Sequence, residues 1–75
     1  MTIRFYLEHS DDDADTMTVE STEDFKFQVW NNSIPLETLL FNHTTLPFVE
    51  AKDIKVDDHI MQHDEPYWVK KIERE

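Results

Sequence analysis

At 75 residues, with no cysteine, no glycine and a net charge of −10, the chain is one small domain that must be held by packing or self-association rather than by disulfides. The charge opposes any cationic grip on phosphate or anionic lipid, and the missing thiol excludes a cysteine nucleophile and Cys-ligated zinc. No apolar run reaches the roughly 18 residues of a membrane helix, and the first four residues lack the charged and apolar regions of a secretion leader, so a cytoplasmic location is expected.

Residues 2–8 alternate, with Ile3, Phe5 and Leu7 on one face and Arg4, Tyr6 and Glu8 on the other, which is the period of a half-buried strand. Residues 9–15 offer no apolar anchor larger than Ala14 and read as a solvated hairpin loop. Met17 and Val19 resume the alternation over 16–20, so the two segments predict an antiparallel hairpin. Ser21 and Asp24 stand at capping-box spacing, yet Phe25, Phe27 and Val29 then alternate with Lys26, Gln28 and Trp30 and favour a strand over 25–30. Pro35 in a first helical position, followed by Leu36, Leu39 and Leu40, predicts a short amphipathic helix whose leucine face lies on the sheet. Further on, 57–58 reads as a turn, 59–63 as a strand, 63–66 as a second turn and 67–73 as a final strand. In that last strand Tyr67 and Val69 share one face while Trp68, Lys70 and Ile72 share the other, so both faces should be covered. Without glycine, tight turns must use Asn, Asp or longer loops. Together the elements predict a mainly β fold, a small antiparallel partial barrel of about five or six strands with one short helix.

Residues 18–25 (Thr-Val-Glu-Ser-Thr-Glu-Asp-Phe), 48–60 (Phe-Val-Glu-Ala-Lys-Asp-Ile-Lys-Val-Asp-Asp-His-Ile) and 67–73 (Tyr-Trp-Val-Lys-Lys-Ile-Glu) follow one another as the middle blocks of a known fold do. In order and pattern they resemble the Hint domain shared by inteins and hedgehog autoprocessing domains, with coverage from about Ile3 to Ile72. The resemblance implies a β scaffold but not its chemistry. Members start with a Cys or Ser nucleophile, carry a block histidine and end in His-Asn, whereas this chain starts Met-Thr-Ile, has Phe25 at the block position and ends Ile-Glu-Arg-Glu. Asp57 stands where the family has glycine. A phenyl ring cannot polarise a scissile amide, so a scaffold without splicing activity is expected.

Asp11, Asp13 and Asp15 have the spacing that opens a calcium loop, but Thr16 and Thr22 fall where its Gly and bidentate Glu belong, so a solvated hairpin tip is expected. His59 and His63 sit in a predicted strand, where i and i+4 stand about 13 Å apart, too far for one metal. Near several carboxylates they are expected to titrate in the physiological window. No serine lies in a nucleophile elbow, so neither catalysis nor a cofactor nor a metal site is expected. Nine aromatic residues exceed what so small a core can enclose. Tyr6, Trp30 and Trp68, each opposite the apolar set of its strand, are the candidate interface for a protein partner or a homo-oligomer, unless the predicted helix covers them. No direct nucleic-acid or membrane contact is expected. The alternative is an acidic decoy that imitates nucleic acid through Asp11, Asp12, Asp13 and Asp15, in the manner of small phage-encoded inhibitors.

Overall fold

The structure, a computed structural model, describes residues 2–12 and 14–75, so Asp13 of the acidic tip lies outside the described residues. Its strands are β1 (Thr2–His9), β2 (Thr16–Thr22), β3 (Lys26–Trp30), β4 (Phe48–Glu50), β5 (His59–Gln62) and β6 (Glu65–Arg74). They join in the order β2-β1-β6-β5-β3-β4, antiparallel throughout, and form a half-barrel. One helix, α1 (Leu36–Phe41), and two 3-10 turns (His43–Thr45 and Ala51–Asp53) complete it, so the predicted architecture is the observed one.

Alternation explains the core. Ile3, Phe5 and Leu7 of β1 point inward and are buried, together with Phe27 and Val29 of β3, Ile60 of β5 and Tyr67 and Val69 of β6. Phe5 meets Phe27 edge to face, with centroids 5.7 Å apart. Each such side chain contributes about 1.5–3 kcal/mol by leaving water, which is how a short chain without disulfides offsets its ordering entropy. Ala51, the first residue of the second 3-10 turn, and Ile54, the extended residue that follows it, add to the core. Neither belonged to an alternating run, so periodicity alone did not place them.

Three local arrangements depart from the sequence reading. In the β1–β6 ladder Tyr6 pairs with Lys71 but Leu7 pairs with Val69, so β6 carries one extra residue at Lys70. This bulge turns both Lys70 and Lys71 outward and returns Ile72 to the core side opposite Phe5, not to the face of Trp68 and Lys70. The β5–β6 connection is a two-residue loop, since Gln62 pairs with Glu65, and both His63 (φ 54°) and Asp64 (φ 63°) are left-handed. Pro66 therefore lies in β6, not in a turn.

The helix is the third. Only Leu39 is buried, while Leu36 and Leu40 are 56% and 57% exposed, so its leucine face does not lie on the sheet. Pro35 is the residue before the helix rather than its first, and six residues span too little length to lay a full stripe across a sheet. The connector is tied down by polar contacts instead. The Gln28 side-chain amide donates to the carbonyls of Thr44 (3.2 Å), His43 and Leu46 (both 3.4 Å), and the Val29 N–H donates to Pro47.

Candidate functional site

The outer face of the sheet carries a row of rings across three strands. Trp30 of β3 pairs with His59 of β5, which pairs with Trp68 of β6. His59 meets Trp30 edge on (5.2 Å between centroids, 81°) and stacks on Trp68 (5.8 Å, 11°). Trp68 Nε1–H donates to Asp57 Oδ1 at 3.2 Å, and Lys70 Nζ lies 4.0 Å over the indole while also standing 3.5 Å from the Glu8 carboxylate. Burial lowers the His59 pKa in spite of Asp58 and Asp57, so the ring is held neutral rather than poised for titration by neighbouring acids. Its Nδ1 is buried and has no hydrogen-bond partner among the described residues.

Trp30 and Trp68, two of the three predicted interface residues, are thus joined through His59, which the sequence brought up for metal spacing and titration but not for the interface. Trp30 is half-buried, and its indole N–H donates to the Pro35 carbonyl at 3.3 Å, so the start of the connector partly covers it. Trp68 remains 38% exposed. Tyr6 points from the same side of β1, opposite Lys71, but belongs to a polar network: its hydroxyl donates to the Glu73 carboxylate, whose pKa this contact pulls down. Arg4 lies 3.0 Å from Glu20 and 3.7 Å from Glu73, completing that network.

The acidic tip divides. Asp11 and Asp12 face solvent, with Asp12 Oδ1 accepting the Ala14 N–H, whereas the Asp15 carboxylate accepts from the buried Tyr67 hydroxyl at 3.4 Å. Burial, and Asp15 after it, raise the Tyr67 pKa. Among the described residues no three His, Asp or Glu side chains are placed to hold a metal ion, and His59 and His63 are not brought together: one is in the ring row and the other in the turn.

Other apolar side chains stand in solvent that the sequence did not nominate as an interface. Phe41 is 84% exposed, Phe48 65% and Phe25 53%, in addition to Leu36 and Leu40 of α1. Phe25 leads the alternation of β3 but precedes its first paired residue, right after the turn at Glu23–Asp24, and that position at a strand's end was the available signal.

Phe25 and Phe48 border an opening in the barrel. β2 and β3 are consecutive in the chain yet have no ladder between them: among the described residues β2 pairs with β1 alone, and β3 meets β5 only at Val29 and Trp30. Between them is a cleft of about 560 Å³ whose walls include Val19, Phe25, Phe27, Phe48 and Met61, with Glu20 and Lys26 as its charged residues.

Fold and surface together define a small antiparallel half-barrel that carries net charge −10 and presents apolar rings on its exterior. No protein family, curated protein or solved structure matches the chain. No helix among the described residues is long and apolar enough to cross a membrane.

Proposed function

We propose that the protein is a non-catalytic interaction or assembly module, working through protein contacts with a partner or with further copies of itself. The observation that carries this reading is the set of large apolar side chains left half or more exposed, Phe25, Leu36, Leu40, Phe41, Phe48 and Val56, on a domain with so little surface. The Trp30–His59–Trp68 row adds a rigid, amphipathic contact of the kind that anchors interfaces, and Tyr6 flanks it. Light scattering over a range of concentrations, joined to a pull-down with wild type and Trp68→Ala, tests it. The expected result is an oligomer or a retained partner that Trp68→Ala weakens; a chain that stays monomeric at high concentration and retains nothing contradicts it.

The scaffold is, on this reading, Hint-like without splicing. Asp57, which stands where the resemblance has glycine, takes a left-handed φ of 80°, the conformation glycine supplies most easily, and this favours the comparison. A fusion with reporter segments at both ends should remain intact over days, and self-cleavage would contradict the proposal. The second reading, an acidic decoy for a DNA-handling protein, is favoured by the solvent-facing Asp11 and Asp12. It predicts binding that falls steeply with salt and disappears when Asp11, Asp12, Asp13 and Asp15 are changed to Asn; binding that survives both excludes it.

A further inference from the structure

The two free edges of the sheet are not alike. β4 is three residues long, and a short edge gives a stray strand little to pair with. β2 is seven residues long, with a ladder to β1 that shows no bulge, no proline and one charged side chain, Glu20, which is already held by Arg4 at 3.0 Å. It lacks the devices that normally keep an edge from pairing. That edge looks into the seam, where Val19, Phe27 and Met61 supply an apolar floor and Phe25 and Phe48 an exposed rim.

We propose that the β2–β3 seam is a strand-acceptor site, which a partner protein fills with an extended segment that alternates apolar and basic residues. Main-chain groups on the open side of β2 ask for a strand, and alternate side chains of an added strand would point into the cleft and out to solvent. The inward set meets Val19, Phe25, Phe27 and Met61, hence apolar. The outward set meets Glu20 and Lys26 at the seam itself, with Glu23 and Asp24 lining an adjoining cleft and a chain of net charge −10 around them, hence basic. Charge also disfavours a second copy here, since each copy carries a net charge of −10. The seam is a different surface from the aromatic row, so it adds a second contact to the module proposed above.

The test uses the intact chain, isotopically labelled, titrated with a synthetic nonapeptide of alternating Lys and Val. Parallel titrations use its Glu-Val counterpart and a version N-methylated along one edge. The Lys-Val peptide should shift amide signals of β2 and residues 26–28 and slow hydrogen exchange on the open side of β2, while the other two peptides bind at least tenfold more weakly. Changing both rim rings, Phe25→Ala with Phe48→Ala, should weaken binding at least tenfold with the native spectrum retained, since both are more than half exposed. Trp68→Ala should leave the binding unchanged, so a failure here and a failure of the outer-face reading are told apart. Equal binding of the N-methylated peptide, shifts centred on Trp30 and Trp68, or concentration-dependent protection of β2 without peptide would each overturn the proposal, the last in favour of a second copy.

Discussion

His59 lies between two indoles, and burial holds it neutral. The folded pKa is therefore below the ordinary 6.5, and the sign of the effect on stability follows. Its contribution is complete above about pH 6.5 and is lost as pH falls toward the folded value. Asp24, lowered by the Thr22 hydroxyl, and Glu73, lowered by Tyr6, act in a separate window: their contributions are lost only as pH falls below their ordinary values of 3.8 and 4.5. Thermal melts between pH 7.5 and 5.5 should show the midpoint falling in wild type and staying level in His59→Phe, which keeps a ring in the row but cannot titrate. Equal falls in both would place the effect elsewhere. Asp57 combines a left-handed backbone with a bond from Trp68, and two substitutions separate these roles. Both lose the carboxylate, but only alanine carries the left-handed penalty, so urea denaturation should find Asp57→Ala less stable than Asp57→Gly by about 1 kcal/mol. Equal values would mean that the Trp68 contact, not the backbone, makes this position matter. The sequence identified Trp30 and Trp68 because each opposed an apolar run; it could not place His59 between them, since that depends on a register between distant strands.

Elements were legible where one residue type repeated at a fixed period. β1, β2 and β3 follow the alternation of Ile3–Phe5–Leu7, Met17–Val19 and Phe27–Val29, because a strand with one buried face leaves that mark. β6 hid its logic behind the extra residue at Lys70, which shifts the period midway and made both faces look apolar. The leucines of α1 misled for a related reason: spacing at i, i+3 and i+4 shows a common face but not what the face meets. The β5–β6 turn was read as 63–66, two residues longer than the observed 63–64, because its usual signature, Asn-Gly, is absent and Pro66 mimics a turn residue. His63 and Asp64 both hold positive φ without being glycine, so the double substitution His63→Asn with Asp64→Gly should stabilise the protein by about 1 kcal/mol. In a domain of this size that raises the melting midpoint by about 4–8 °C. A lower midpoint would show that the His63 and Asp64 side chains themselves stabilise the turn.

At the scale of the molecule, six strands suffice to enclose Phe5, Ile60 and Val69 completely but not to close the barrel. The sheet ends in one short edge and one long one, and the long edge lies beside exposed phenylalanines. Neither feature could be read from composition, since both depend on which strands fail to pair. The open edge follows from consecutive strands β2 and β3 diverging after the Thr22–Asp24 turn, where the Thr22 hydroxyl donates to Asp24 Oδ1 at 2.8 Å. Residue-resolved hydrogen exchange on the free chain at low concentration tests that description most directly. It should find slow amides throughout β1 and in β6 where it pairs with β1, and an alternating pattern in β2, slow where an amide faces β1 and fast where it faces the seam. Slow exchange at every amide of β2 would mean that the seam is closed, and would contradict the half-barrel with an open edge.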